Sequence, residues 1–196
     1  MQLDKDLQSI QEARDSARKA KKAQQEFQFF NQSQVDKIIK AMAEAGYSES
    51  ERLAKMAHEE TGFGKWQDKV IKNQFATKNV YESIKDLKTT GIIASEENGK
   101  VLKIAVPMGV VCALIPSTNP TSTAMYKVLI SLKCRNGIVA SPHPKAAGCT
   151  NEALKILSAA AVSEGAPEGI IQCLTNPTLE GTEELMHDRN VDVILA

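Results

Sequence analysis

Val110-Val111-Cys112-Ala113-Leu114-Ile115 is an unbroken apolar run, closed by Pro116-Ser117-Thr118-Asn119-Pro120 and followed by a helical pattern from Thr121 to Lys133. An apolar run without alternation belongs to a strand covered on both faces, as in a parallel sheet. The order then recurs. Ile138-Val139-Ala140 reads as a second strand and Ala146 to Glu164 as a long helix closed by Gly165. Ile170-Ile171-Gln172-Cys173-Leu174 is a third strand, and Leu179 to His187 a short helix. Val191-Asp192-Val193-Ile194-Leu195-Ala196 is a fourth strand. Strands alternating with helices predict an α/β fold, a doubly wound parallel Rossmann-like sheet.

Working back from Val110, Pro107 stops a β-hairpin read over 91–106, with Asn98-Gly99 at its turn because both residues tolerate positive φ. Before it the period is helical. Leu3, Leu7, Ile10, Ala13, Ala17, Ala20, Phe27 and Phe30 form one stripe, too alanine-rich and short for a coiled coil and expected to pack as a surface helix. Ser33 is positioned to cap a second helix ending at Gly46. Ser48 with Glu51 has the spacing of a capping box for a third, which Gly62 would close. Trp66, Val70, Ile84 and Leu87 suggest a fourth, running to about Lys88. The chain therefore divides into an N-terminal helical layer (1–90), a hairpin arm (91–107) and a parallel βα portion (108–196).

The charges follow this division. Of 24 Lys/Arg and 24 Asp/Glu in 196 residues, 17 and 16 precede residue 101, while all seven prolines lie beyond 106. Zero net charge argues against general nucleic-acid binding and against an anionic membrane surface as partner. Val106 to Ile115, the longest near-continuous apolar stretch, is too short to span a bilayer. Met1 to Asp6 lacks a secretory layout, so a cytoplasmic location is expected. Four separated cysteines in that compartment are expected as free thiols.

In an open parallel sheet, ligands bind beyond the carboxyl ends of the strands. Chemistry should therefore sit in the turns 116–121, 141–145 and 175–178, all rich in Pro, Ser, Thr and Asn. Asn119 can serve there as an amide donor to an oxyanion or as a helix N-cap, and its position alone leaves both open. Ser141 and His143 lie in a turn stiffened by Pro142 and Pro144, where His143 can bond a ribose or phosphate or be an inert loop residue. Lys145 and the pair Glu59-Glu60 read as solvated. Cys112 and Cys173 read as core. Cys149 sits near a helix start, which favours a thiolate, but no histidine or carboxylate is paired with it in sequence. His58, His143 and His187 lack metal-ligand spacing, and neither GxGxxG nor GxxxxGK[ST] occurs.

The chain resembles the aldehyde dehydrogenase superfamily. The resemblance is carried by Val106-Pro107-Met108-Gly109-Val110-Val111, Ile115-Pro116-Ser117-Thr118-Asn119-Pro120, Lys127, Gly165-Ala166-Pro167-Glu168-Gly169 and Val191 to Ala196. Ile115 to Thr121 and Ser141-Pro142-His143-Pro144-Lys145 resemble its CoA-acylating branch, which includes the aldehyde domain of bifunctional aldehyde-alcohol dehydrogenases. Hydrolytic relatives usually carry lysine-proline in place of Ser141-Pro142, so the serine implies a roomier nucleotide groove.

The implied reaction is aldehyde + CoA + NAD⁺ to acyl-CoA + NADH through a cysteine thioester. Asn119 would be the oxyanion donor. Ile115, Pro116, Ser117, Ser141, Pro142 and His143 would line a groove used by NAD and CoA in turn, with Pro177 near the adenine. A neutral groove leans towards NAD over NADP. The hairpin resembles an oligomerisation arm, implying a homodimer or homotetramer. The family's glycine-rich turn and nucleophilic cysteine match nothing among these residues, which resemble its N-terminal portion, so the 196 residues alone are expected to be inactive. Two other readings stay open: a hydrolytic aldehyde dehydrogenase yielding free acid, and a non-catalytic nucleotide-binding or assembly module.

Overall fold

The computed structural model describes residues 4–196; Leu3, counted in the first helical stripe, lies outside them. Strands β1 (Gly91–Glu96) and β2 (Val101–Ala105) pair antiparallel as the expected hairpin, with Glu97, Asn98 and Gly99 all at positive φ in the turn. Four parallel strands follow: β3 (Val110–Ile115), β4 (Gly137–Pro142), β5 (Ile171–Cys173) and β6 (Val193–Leu195). Their order in the sheet is β5-β4-β3-β6. The chain steps from β3 to β4 to β5, then returns to the far side of β3 to lay down β6.

Right-handed crossovers turn this reversal of direction into a change of face. Helices α6 (Pro120–Lys133) and α7 (Ala147–Ser163) cover one face of the sheet, and α8 (Leu179–His187) covers the other. The first face buries Val111, Ala113, Ile138 and Ala140 against Met125, Leu129 and Leu157. The second buries Val110, Cys112 and Val139 against Leu185 of α8 and Ala13, Ala17 and Ala20 of α1 (Lys5–Phe27). The alanine stripe thus packs on the sheet. Its small side chains bring α1 so near that a Cβ on Gly137 would stand 3.1 Å from the Ala20 carbonyl. Leu7 is half exposed, and Phe30 lies past the helix end, edge-on to Phe27 at 5.0 Å between centroids.

The other N-terminal helices depart from expectation at their ends. Helix α2 (Gln32–Ser48) is capped by Asn31, not Ser33. Asn31 Oδ1 accepts from Gln34 N–H (3.0 Å) while Gln34 Oε1 accepts from Asn31 N–H (2.9 Å), a reciprocal box whose cap lies two residues before Ser33. Helix α3 (Ser50–Thr61) follows after Glu49 alone, so Ser48 has no room to act as cap and donates back to the Ala45 carbonyl (2.8 Å). Gly62 closes α3 in the left-handed region, as its sequence position suggests (φ +69°).

The fourth helix is present but is α4 (Trp66–Gln74), a π-helical turn at Phe75–Asn79, and α5 (Val80–Ile84). Leu87 lies beyond it, exposed. Its buried face is Lys69, Asn73, Ala76, Thr77 and Val80, not the apolar positions that signalled it. Asn73 holds this face by donating to the Ser50 carbonyl (3.0 Å) and accepting from Thr121 Oγ1 (2.8 Å). Among the described residues no helix is long and apolar enough to cross a membrane.

Candidate active site

The strand order reverses between β3 and β6. At such a point the flanking crossovers leave on opposite faces and open a crevice at the carboxyl edge. Lys127, buried on α6, sits at this edge: its Nζ donates to the carbonyls of Leu114 (2.8 Å) and Leu195 (2.9 Å), joining the ends of the two strands. Burial lowers its pKa, with the neighbouring Cys112 opposing.

Beyond the strand ends lies a groove of about 1100 Å³. The strand–helix turns supply one wall: Ile115, Pro116 and Asn119 from the first, and Ser141, Pro142, His143 and Pro144 from the second. Thr178, Leu179 and Thr182 contribute from the third turn and α8. Ile71, Lys72 and Phe75 come from the α4 side, and Tyr126 from α6. Six of the residues singled out in the sequence therefore meet in one space. Ser117 and Pro177 do not line it.

The third turn is strapped to α1. Glu12 accepts from Thr175 N–H (2.7 Å), Thr175 Oγ1 (2.5 Å) and Asn176 N–H (3.0 Å), and Pro177 is buried beside them. Only the residues after Pro177 reach the groove.

Asn119 stands at the N-cap position of α6, yet its side chain caps nothing. Its Oδ1 instead accepts from Lys72 Nζ at 2.8 Å. One turn earlier on the same helix, Lys69 Nζ donates to the Thr118 carbonyl at 2.7 Å. Burial lowers the Lys69 pKa, and the charge of Lys72 adds to the effect. The two lysines were indistinguishable in sequence from a solvated helix face; only the i, i+3 spacing hinted that they act together.

The polar groups of the second turn are oriented by their neighbours. Thr182 Oγ1 donates to the Thr178 carbonyl (2.8 Å), so in its 2.7 Å contact with Ser141 Oγ the serine is the donor. Ser141 is buried, and its spare hydrogen-bonding capacity is as an acceptor. His143 Nδ1 accepts from Lys145 N–H (3.1 Å), so the neutral ring carries its proton on Nε2.

Three readings of isolated residues are corrected. Glu60 is not merely solvated: its carboxylate accepts from the N–H groups of Gly148 (2.8 Å) and Cys149 (2.6 Å) and closes the N-terminus of α7. The helix start therefore does not favour a thiolate at Cys149. Burial, and then the hydrogen bond and charge of Glu60, push that thiol up to about 12. Cys112 is core, with its thiol raised by burial to about 11. Cys173, read as core, is only partly buried because β5 is an edge strand; burial again raises its thiol pKa. Cys134 is exposed, at the far end of α6 from Asn119. All four cysteines are free thiols.

A model of the aldehyde dehydrogenase family matches residues 5–196. The bifunctional aldehyde-alcohol dehydrogenase AdhE of Escherichia coli is 46% identical over 178 residues, 91% of this chain and 20% of that protein. An acetylating aldehyde dehydrogenase from Geobacillus thermoglucosidasius superposes with a TM-score of 0.97 at 54% identity, covering 100% of this chain and 43% of the other. The Rhodopseudomonas palustris propionaldehyde dehydrogenase, solved with bound CoA, superposes at 0.81 with 27% identity over 93% of this chain and 41% of its own. The chain thus spans about a fifth of the curated relative and less than half of either solved structure.

Proposed function

Because the chain belongs to the aldehyde dehydrogenase family, we propose that it forms the cofactor-side portion of a cytoplasmic, CoA-acylating enzyme. The reaction converts a short-chain aldehyde, CoA and NAD⁺ reversibly to acyl-CoA, NADH and a proton. The observation that carries this reading is the Asn119 amide, held at the switch point of the sheet and on the wall of the groove.

An oxyanion forms when a thiolate adds to an aldehyde carbonyl. A preorganised N–H donor lowers that barrier because it stabilises the charge as it develops. Asn119 Nδ2 supplies the donor. The attacking sulfur is none of these four cysteines. All four thiol pKa values are raised by burial, and Cys134 is also separated from Asn119 by the length of α6, roughly 20 Å at 1.5 Å per residue.

The groove suits a dinucleotide. Ile115, Pro116 and Leu179 offer apolar walls to flat rings, His143 offers an outward N–H, and Ser141 offers an acceptor to a ribose hydroxyl. Bound there, a nicotinamide ring supplies the hydride acceptor. The lysines lining the groove, Lys72 and Lys127, are both engaged, which favours NAD over a nucleotide bearing an extra phosphate. CoA would share the groove in turn, beside the small side chain of Ser141. Ser117 and Pro177 then support the turns from outside the lining. Residues 1–90, 91–107 and 108–196 serve as helical layer, oligomerisation arm and cofactor portion of a homodimer or homotetramer.

The test is NADH formation from acetaldehyde by the natural polypeptide that contains this sequence, with and without CoA. Production that requires CoA is the expected result. Production without CoA would instead identify a hydrolytic enzyme, and nucleotide binding without turnover an assembly module.

A further inference from the structure

Asn119 can help an oxyanion only with its NH₂ end forward. The two ends of a primary amide are nearly equal in size, and a half-turn would present a carbonyl oxygen that repels the developing charge. At a helix N-cap the Asn oxygen is usually fixed by a backbone N–H of the first turn. That bond is absent at Asn119.

We propose that Lys72 is a positioning residue that locks the Asn119 amide with its donor end towards the substrate. This deepens, and rests on, the reading of Asn119 as the oxyanion donor. Lys72 Nζ lies 2.8 Å from Asn119 Oδ1. An ammonium has three donors and no acceptor, so only the oxygen end can face it. The NH₂ end is left for the groove, which both side chains line.

The bond has a rigid base. Helix α4 grips the same turn at three successive points: Lys69 Nζ on the Thr118 carbonyl (2.7 Å), Lys72 on Asn119, and Asn73 Oδ1 accepting from Thr121 Oγ1 (2.8 Å). Lys69 and Asn73 are buried, Lys69 holding the backbone carbonyl of Thr118 and Asn73 the hydroxyl of Thr121. Lys72 is exposed and acts on the functional amide alone. Removing Lys72 should therefore release the amide while leaving the turn in place.

The experiment uses the natural polypeptide containing this sequence and four variants: Lys72→Met, Lys72→Arg, Asn119→Ala and the double substitution Lys72→Met/Asn119→Ala. CoA-dependent NADH formation gives kcat and aldehyde KM, and the side-chain amide signals of Asn119 are followed by ¹⁵N–¹H NMR. Lys72→Met is expected to lower kcat about 10- to 100-fold, within the effect of one oxyanion donor. KM should change less, and the Asn119 amide signals should shift. Lys72→Arg, still a cation without an acceptor, should recover most of kcat. In the Asn119→Ala background, Lys72→Met should cost no more than about twofold, because the group it orients is gone. Wild-type kcat in Lys72→Met, or equal losses in both backgrounds, overturns the positioning role alone. No turnover by the unsubstituted polypeptide overturns the acyl-transfer reading and this role with it.

Discussion

Gly109 takes a backbone φ of +133°, and a Cβ there would collide with the carboxylate of Asp192. That carboxylate is in use. Asp192 Oδ2 accepts from Val110 N–H (2.8 Å) at the start of β3 and from Lys21 Nζ (2.8 Å) on α1, so one oxygen ties β3, the approach to β6 and α1 together. Gly109→Ala should lose at least about 2 kcal/mol in urea unfolding, from backbone strain and a displaced charge-assisted bond. The thiols act on a different variable. Cys112, Cys149 and Cys173 all have raised pKa values, chiefly through burial. In the unfolded chain they ionise near the ordinary value of 9.0, whereas folded Cys112 and Cys149 keep their protons to about 11 and about 12. The unfolded state therefore binds fewer protons across this window, and stability falls as pH rises through it. Unfolding free energy measured from pH 8 to 11 should decline, and Cys112→Ala should decline less steeply from its own starting value. Sequence made Cys112 legible as core, but the carboxylate beside Cys149 comes from a helix nearly ninety residues upstream.

At the scale of elements, side chains from remote helices complete the turns. Helix α7 has no cap of its own. Glu60, at the end of α3, closes it by accepting two of its first N–H groups and by placing negative charge at the positive end of the helix dipole. Glu60→Ala should cost about 1 kcal/mol in chemical denaturation, and Glu60→Gln, which can still accept, less. Glu12 does the same for the turn after β5, and Lys69 and Lys72 for the turn after β3. Apolar spacing located the α-helices and unbroken apolar runs the parallel strands among the described residues, because both report which sides of an element are covered. Apolar spacing misread the buried side of α4 and the π-helical turn after it, where Lys69, Asn73 and Thr77 face inward with their polar groups bonded to Thr118, Ser50, Thr121 and Asn73. A polar stripe satisfied inside the protein has the same sequence as one satisfied by water.

For the whole molecule, the hairpin stands out from the sheet with little of its surface covered. Ile92, Ile93, Leu102 and Ile104 are exposed along it, and Val106 at its base is 73% exposed. Arg135 anchors that base by donating to the Gln28 carbonyl (2.5 Å) and the Ala105 carbonyl (2.9 Å). If the arm joins copies of the chain, Ile92→Ser/Ile104→Ser should lower the assembly state in gel filtration without loss of helical signal. A stable monomer before substitution would count against the arm's role. The apolar runs, the crossover turns and the resemblance they carry determined the α/β class, the parallel strands and the edge on which a site should lie. These are local properties, written in spacing and turn chemistry. Only the tertiary structure decided that β6 lies beside β3 and opens the crevice there. It also decided that Lys127 joins the two strand ends and that Lys72 meets the amide oxygen of Asn119. Each of these depends on groups distant in sequence meeting at hydrogen-bond range, and a hydrogen bond leaves no periodicity in the chain that makes it.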